Sequence, residues 1–315
     1  MILGDTSATS LIEYQVSDFV DAFGATEDEV ASITADVAAY NFLYRRFSQE
    51  ERDKVILDVL SKIEGFTKVG AHRSGIWESC WSDAKRTFES HGKSLESLDP
   101  VFMGANAIVR MHGDYALAAS PDFETHWFRV MRKWVFNRHL KTSTKLFEFG
   151  CGSGYNLVTA GQMFPDIQLT GLDWSPSAVK LVDEIGQTHG LNLSGRRFDF
   201  FAPDNDVPVD GDTTVMTVAA LEQLGSDFVT FAEWLLKRRP KMVLSIEPIV
   251  EFYDPNSLVD DLALRFHNHR QYLSGYYSWV KAQADANKVE ILHTLRPSFG
   301  SLYHEAYSVV AWRPI

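Results

Sequence analysis

From Thr144 to the C-terminus, short apolar runs alternate with segments whose apolar residues recur at helical spacing. This alternation constrains the fold more than any other feature, because each apolar run has the length of a strand. Such a pattern predicts parallel strands connected by helices that cover both faces of one sheet. The predicted strands span residues 145–149, 168–172, 195–200, 213–218, 242–246, 289–295 and 306–312.

The last two predicted strands are joined by a short connection that contains Arg-Pro-Ser-Phe-Gly-Ser at residues 296–301. Parallel neighbours need a crossover of about a dozen residues or more, so the last strand is expected to run antiparallel. We therefore predict an α/β fold with a doubly wound, Rossmann-like sheet and an antiparallel last strand, over residues 141–315.

Residues 1–140 show a helical pattern instead. Thr26 and Ser48 are each followed three residues later by a glutamate, which is the capping-box signature of a helix start. A serine–proline pair at 120–121 predicts the start of another helix, whereas residues 104–119 fit neither pattern clearly. We expect a helical N-terminal region that acts as a lid, binds substrate or forms a homodimer.

Composition limits the classes of partner. The 315 residues carry a net charge of −12, which disfavours a nucleic-acid ligand because phosphate binding needs a basic surface. No apolar run reaches the roughly 18 residues that a membrane span needs. The two cysteines provide neither a disulfide framework nor a zinc-binding spacing. Together with an N-terminus that lacks a signal-peptide pattern, these features lead us to expect a cytoplasmic protein.

The loop after the first predicted strand reads Glu-Phe-Gly-Cys-Gly-Ser-Gly at residues 148–154. A dinucleotide-binding loop has its third glycine three residues after the second, where this chain has Tyr155. The carboxylate of Glu148 would repel a pyrophosphate, but it would attract an ammonium or sulfonium group. The loop therefore favours a positively charged ligand.

Acidic and aromatic residues follow the next three strands. Asp173 ends the second strand, where a carboxylate can accept hydrogen bonds from both hydroxyls of a ribose. Trp174 and Phe200 could stack on the two faces of an adenine, and Asp199 could accept a hydrogen bond from its exocyclic amine. Ala219, after the fourth strand, would let the backbone approach the ligand closely. These strand ends describe one groove.

The segments 148–154, 172–175, 198–200 and 219–224 together resemble the cofactor motifs of class I S-adenosylmethionine-dependent methyltransferases. The resemblance covers about residues 141–315 and implies a Rossmann-like fold with S-adenosylmethionine as the cofactor. It also implies particular contacts, in which Gly150, Gly152 and Gly154 line the methionine portion, Asp173 binds the ribose, and Asp199 with Trp174 binds the adenine.

Simpler interpretations of these residues stay open. The glycines could serve only a tight turn, Asp173 could be an ordinary charge at a helix start, and Trp174 could belong to the core. An NAD(P)-binding oxidoreductase is one alternative function. A regulatory protein that binds the cofactor without catalysis is another.

The candidate residues for acceptor binding and catalysis lie outside the cofactor motifs. His267, His269 and His304 are candidate bases, although two histidines two residues apart on a helix would point to different faces. Arg110 could bind the methionine carboxylate or an acidic acceptor, or form a structural ion pair. A mixed metal site that adds His112 and Asp114 to these histidines is a weaker alternative, and no metal is predicted.

The sequence thus predicts a methyltransferase that acts on a small polar metabolite. A sugar or a secondary metabolite methylated on oxygen or nitrogen is favoured, with no nucleic-acid or membrane partner. The sequence does not identify the acceptor or the methylated atom.

Overall fold

The computed structural model describes residues 10–99 and 107–315, which form two β-sheets with helices packed around them. The strands are β1 (Ile12–Glu13), β2 (Leu43–Arg46), β3 (Ile108–Met111), β4 (Asp114–Ala118), β5 (Lys145–Phe149), β6 (Gln168–Asp173), β7 (Leu193–Arg197), β8 (Thr213–Val218), β9 (Met242–Glu247), β10 (Val289–Leu295), β11 (Phe299–Gly300) and β12 (Ser308–Pro314). The helices are α1 (Val16–Phe23), α2 (Glu27–Val37), α3 (Gln49–Ile63), α4 (Ser74–Ser90), α5 (Phe123–His139), α6 (Tyr155–Met163), α7 (Pro176–His189), α8 (Phe228–Arg238), α9 (Leu258–Arg270) and α10 (Tyr276–Asp285). Across the described ranges, no helix combines the length and apolar character that a membrane crossing requires.

The larger sheet has seven strands in the order β10-β12-β9-β8-β5-β6-β7. Strands β5 to β9 pair in parallel, and β12 runs antiparallel to both of its neighbours. The predicted doubly wound sheet with an antiparallel last strand is therefore confirmed. Because the central strands are parallel, their carboxyl ends meet at one edge, where ligands bind in open sheets of this kind.

Local signals at several helix starts are also confirmed. Thr26 and Ser48 both form capping boxes, and the Oγ of Ser48 accepts a hydrogen bond from the backbone N–H of Glu51 at 3.3 Å. Ser175 caps α7, with its Oγ accepting from the backbone N–H of Ala178 at 3.1 Å. These caps satisfy backbone donors that a helix start would otherwise leave unpaired.

Some predicted boundaries are wrong. The third strand of the parallel sheet ends at Arg197, so Asp199 and Phe200 lie in the loop beyond it. The sequence pattern of residues 257–286 indicates one long helical region, but the structure breaks it into α9 and α10, since Gln271 adopts φ 55° and Gly275 φ 85°. A continuous helix cannot accommodate left-handed residues.

The N-terminal region is only partly helical, which corrects the prediction. A five-stranded antiparallel sheet has the order β1-β2-β4-β3-β11. The ambiguous segment contains the hairpin of β3 and β4, which turns at His112 (φ 52°) and Gly113 (φ 76°), while residues 104–106 lie outside the described ranges. These strands are too short for a clear alternation of apolar residues, and β11 joins them from far along the chain.

An aromatic cluster around Trp127 of α5 joins the two sheets. The Trp127 ring is fully buried and stacks on Phe299 of β11, with ring centroids 4.0 Å apart. It also packs edge-on against Phe23, and Tyr307 lies 5.8 Å away. Residues on both sides of position 141 therefore share one hydrophobic core. The domain division at 141 stays a prediction.

Candidate functional site

A small cavity of about 70 Å³ lies at the carboxyl ends of β5, β6 and β8. Its walls combine loop residues of the parallel sheet with two tryptophans of α4. The lining residues are Trp77, Trp81, Gly150, Asp173, Trp174, Phe200, Ala219, Ala220, Gln223 and Leu224. Four of the strand-end residues that the sequence predicts, Asp173, Trp174, Phe200 and Ala219, therefore meet in one place.

Asp173 connects the glycine loop to the end of β6. Its Oδ2 accepts a hydrogen bond from the backbone N–H of Gly152 at 3.1 Å, and its Oδ1 accepts from that of Ser175 at 2.9 Å. Burial raises the pKa of this carboxyl to about 6, although the two backbone donors act in the opposite direction. At neutral pH the group is mostly ionised and can accept further hydrogen bonds from a ligand.

The aromatic walls of this cavity come from two adjacent loops. Trp174 is half-buried, and Phe200 packs edge-on against Phe231, with ring centroids 4.7 Å apart. Asp199 differs from the expectation, because its side chain is exposed and lines neither cavity. Its Oδ1 instead accepts a hydrogen bond from the backbone N–H of Phe201 at 2.9 Å. Its contact with adenine stays a prediction.

Gly150, Gly152 and Gly154 adopt φ values of 74°, 52° and 74°, which residues other than glycine rarely adopt. A Cβ on Gly150 would lie 2.5 Å from the Cβ of Ala220, and one on Gly152 would lie 2.6 Å from the ring of Trp81. Gly150 and Gly152 line the cavities, whereas Gly154 packs against α7 and lines neither. Only the first two therefore lie where the predicted ligand contact requires.

A larger cavity of about 420 Å³ adjoins the small one and shares the glycine loop with it. This volume is within the usual range for small-molecule sites. Aromatic side chains form much of the wall, including Phe128, Tyr155, Tyr272, Tyr303 and Tyr307. The ionisable residues of the wall, besides the tyrosines and Cys151, are Arg73, Glu124, Glu148, Glu222, Arg270 and His304.

Glu148 is a buried carboxyl in the wall of this larger cavity and is 1% exposed. Its Oε1 accepts a hydrogen bond from the Nδ2 of Asn156 at 2.7 Å, and its Oε2 has no partner among the described residues. Burial raises the pKa of Glu148 to about 8. A buried oxygen without a donor is costly, so a cationic ligand beside it would be stabilising.

Glu222 is a candidate that the sequence analysis missed. It follows β8 and lines the larger cavity, and its Oε1 accepts a hydrogen bond from the Nε2 of Gln223 at 2.9 Å. Burial raises the pKa of Glu222 to about 7, although Arg270 and Arg73 act in the opposite direction. The sequence signal that could have identified Glu222 is its position after the fourth strand, within the segment 219–224.

Glu247 at the end of β9 shapes the turn that carries Glu222. Its Oε1 accepts hydrogen bonds from the backbone N–H groups of Ala220 and Leu221, both at 3.0 Å, and its Oε2 accepts from that of Glu222 at 3.3 Å. The side chain is fully buried and lines neither cavity. Glu247 therefore has a structural place behind the site.

The three candidate histidines are only partly brought together. His304 lines the larger cavity, and its Nδ1 lies 3.2 Å from the Nε2 of the buried His267. Burial, with Arg110 and Arg270, lowers the pKa of His304 to about 3, and burial lowers that of His267 well below its usual value. Both are therefore neutral at physiological pH. His269 lines neither cavity, and its Nε2 lies 2.9 Å from the carbonyl oxygen of Phe66.

Arg110 lies away from both cavities, against the expectation that it binds a carboxylate of the ligand. It is 1% exposed, donates from Nη2 to the carbonyl oxygen of Val259 at 2.7 Å, and its Nη2 lies 3.5 Å from the Oδ1 of Asp260.

The suggested metal ligands do not form a site among the residues that the structure describes. His112, in the turn between β3 and β4, stacks its ring on that of Tyr14. Within residues 10–99 and 107–315, no group of three or more His, Cys, Asp or Glu side chains is arranged to hold a metal ion.

Helix α4 covers both cavities. The rings of Trp77 and Trp81 stack with centroids 5.8 Å apart and form part of each cavity wall. Glu78, between them, accepts hydrogen bonds from the hydroxyls of Ser175 and Ser177 at the start of α7. This contact fastens α4 beside the end of β6. The sequence pattern of residues 76–90 indicates this helix, but it does not indicate where the helix packs.

No protein-family profile and no curated protein matches the chain. Among solved structures, it is similar to geranyl diphosphate C-methyltransferase from Streptomyces coelicolor A3(2), crystallised with Mg²⁺, geranyl diphosphate and S-adenosyl-L-homocysteine. The identity is 14% over 61% of this chain and 81% of that chain, with a TM-score of 0.43. The small RNA methyltransferase HEN1 is 19% identical over 59% of this chain and 25% of that one, with a TM-score of 0.44. The [4+2]-cyclase SpnF is 13% identical over 61% and 82%, also with a TM-score of 0.44.

The strand order and the reversed β12 are those of the class I methyltransferase fold that the sequence resemblance implies. Fold alone does not establish an activity, and the side chains of the two cavities are what give the site its chemistry.

Proposed function

We propose that the protein is an S-adenosylmethionine-dependent methyltransferase that methylates oxygen or nitrogen of a small polar metabolite. One observation carries this proposal. The Oε2 of buried Glu148, which has no hydrogen-bond partner among the described residues, lies in a cavity that shares its glycine loop with the smaller, aromatic-walled cavity of Asp173. Such a pair of cavities suits an adenosyl group joined to a cationic chain.

The residues present fit this cofactor. Asp173 would bind the ribose hydroxyls, Trp174 and Phe200 would flank the adenine, and Glu148 would stabilise the positive charge near Gly150. When bound, the cofactor supplies a methyl group already activated by its sulfonium. Catalysis by the chain is then mainly a matter of holding the acceptor in line with that methyl and excluding water.

A protonated acceptor also needs a base, and the larger cavity offers Glu222 and His304. The conjugate acid of His304, with its pKa lowered to about 3, is too strong for the imidazole to take a proton efficiently near neutral pH. Glu222 has a pKa near 7 and is the better matched base. Glu222 would take the proton from the acceptor oxygen or nitrogen as that atom is methylated.

The volume and the lining of the larger cavity support a particular class of acceptor. A cavity of about 420 Å³ with tyrosine hydroxyls and several charged groups suits a sugar or a secondary metabolite. The net charge of −12 speaks against a nucleic-acid acceptor.

The proposal is tested first by binding and then by turnover. S-adenosylmethionine and S-adenosylhomocysteine should raise the melting temperature, because a ligand at 100 times its Kd adds about 2.7 kcal/mol of stability. NAD and NADP should not. Transfer of an isotope-labelled methyl group to a component of a metabolite extract should then identify the acceptor. Stabilisation by NAD or NADP alone would support the oxidoreductase alternative, and cofactor binding without any transfer would support the non-catalytic one.

The raised pKa of Glu148 predicts a pH dependence of cofactor binding. A cation beside Glu148 favours its ionised form, so below pH 8 binding must release a proton. The affinity for S-adenosylmethionine should therefore rise between pH 6.5 and 8, by up to about tenfold per unit. Calorimetry in buffers of different ionisation enthalpy measures both the affinity and the proton release.

Glu148→Gln is the matched variant, since the amide oxygen can still accept from Asn156. It should weaken binding at pH 8 and remove most of the pH dependence, whereas Glu222→Gln should leave most of that dependence in place. If the affinity of Glu148→Gln for S-adenosylmethionine kept the wild-type pH dependence, Glu148 would not interact with the charge of the ligand.

A further inference from the structure

We infer that the methyl acceptor carries a compact anionic group, a carboxylate or a phosphate, which Arg73 and Arg270 bind in the larger cavity. This inference rests on the proposed function, because it concerns the acceptor of that same site. It assigns a role to two residues that the sequence analysis did not single out.

The first observation is that neither guanidinium has an anionic partner in the part of the chain that the structure describes. Both side chains line the larger cavity, and Arg270 is 6% exposed. Within the described residues, no carboxylate lies within 4.0 Å of either group. A nearby contrast is Arg296, which pairs at 2.7 Å with both Asp260 and Glu305. A buried cation is normally paired, so the buried Arg270 and the half-buried Arg73, which share one cavity wall and have no carboxylate partner among the described residues, indicate an anionic ligand.

The second observation is that neutral groups hold both guanidiniums in place. Arg270 donates from Nη2 to the hydroxyl of Tyr272 at 3.0 Å and from Nη1 to the carbonyl oxygen of Thr67. Arg73 donates from Nη1 to the Oε1 of Gln223 at 2.6 Å. The Nε of each arginine is buried without a partner among the described residues. These contacts orient the two groups without neutralising them.

The third observation concerns the charges around the pair. Arg73 and Arg270 line the same cavity, and burial together with the charge of Arg270 lowers the pKa of Arg73. Glu222 is the carboxyl that acts on both, and burial raises its pKa to about 7, so it is only partly ionised at neutral pH. His304 beside them is neutral. An anion on the ligand would therefore relieve a positive excess.

Arginine also has the geometry for this task. Its planar guanidinium can donate two parallel hydrogen bonds to a carboxylate or a phosphate, and such charge-assisted bonds are stronger than neutral ones. Anchoring the anion would hold the rest of the acceptor between Glu222 and the glycine loop, which is the positioning that methyl transfer requires.

The experiment titrates inorganic phosphate and malonate into protein saturated with S-adenosylhomocysteine, with chloride keeping the ionic strength constant. The wild-type protein should bind one equivalent of the preferred probe, and a preference for phosphate or malonate identifies the anion. Arg270→Gln and Arg73→Gln should each weaken that binding at least about tenfold. Arg265→Gln is the matched control, because Arg265 is an exposed arginine on the same helix, α9.

Affinity for S-adenosylhomocysteine should stay within about twofold of wild type in all three variants. The inference is overturned if neither probe binds, or if both arginine variants bind the probes as well as Arg265→Gln does. It is also overturned if the variants lose S-adenosylhomocysteine affinity and that ligand displaces the probe, since the arginines would then bind the cofactor carboxylate. If Arg270→Gln does not fold, the comparison of probe binding between Arg73→Gln and Arg265→Gln tests the inference by itself, because Arg73 is only half-buried. A failure of S-adenosylhomocysteine to bind wild type would count against the proposed function, separately from the anion site.

Discussion

Asp173→Ala should abolish measurable binding of S-adenosylmethionine while the protein stays folded. The carboxylate would accept hydrogen bonds from two ribose hydroxyls, and each bond to a charged group contributes about 1.5–3 kcal/mol. Loss of both corresponds to a reduction of affinity by at least about 100-fold. The variant also removes the acceptors for the N–H groups of Gly152 and Ser175, so a modest fall in melting temperature is expected.

Calorimetry with the cofactor and its demethylated product measures this effect, and circular dichroism checks the fold. Asp173→Asn keeps an acceptor but loses the charge, so its affinity should lie between those of wild type and Asp173→Ala. Asp199→Ala should have a smaller effect, because this exposed aspartate lines neither cavity and would contribute only one hydrogen bond to the adenine amine. Near-native affinity in Asp173→Ala would contradict the ribose assignment.

Glu222→Gln should lower kcat by about 100-fold to 10,000-fold with the acceptor found by methyl transfer, which is the usual contribution of a general base. The amide has nearly the same shape, so cofactor affinity should change little. Glu222 must be ionised to take a proton, so the wild-type rate should rise with pH through its pKa of about 7. The variant should lack this rise.

A single-turnover assay across pH 5.5–8.5 measures both effects. His304→Gln provides the control, because His304 lines the same cavity and is already neutral throughout this pH range. It should affect substrate affinity more than the pH profile. If His304→Gln removed the pH-dependent rise while Glu222→Gln retained it, the base would be His304.

The cofactor side of the site could largely be predicted from the sequence. Asp173, Trp174, Phe200 and Ala219 each follow a strand, and the carboxyl ends of parallel strands meet at one sheet edge. Recognising the strands was therefore enough to bring these side chains together. Asp199 and Gly154 line neither cavity, so a position near a strand end does not by itself place a residue in the cavity wall.

The acceptor side could not be predicted in the same way. His267 meets His304 rather than His269, and the arginines in the wall are Arg73 and Arg270 rather than Arg110. These contacts join residues far apart along the chain, and neither the period of apolar residues nor a local motif reports them. The antiparallel N-terminal sheet was missed for a related reason, since its short strands are stabilised by long-range pairing.

The sequence by itself determined the parallel sheet, the reversed last strand and the place of the glycine loop, because each depends on local periodicity and on the lengths of the strand connections. Only the tertiary structure decided that α4 covers the loop with Trp77 and Trp81, and that Glu222, Arg73 and Arg270 share one cavity. The position of α4 and the composition of the cavity wall depend on which apolar faces pack together and on which charges are buried. Such properties belong to the whole folded chain rather than to any one segment of it.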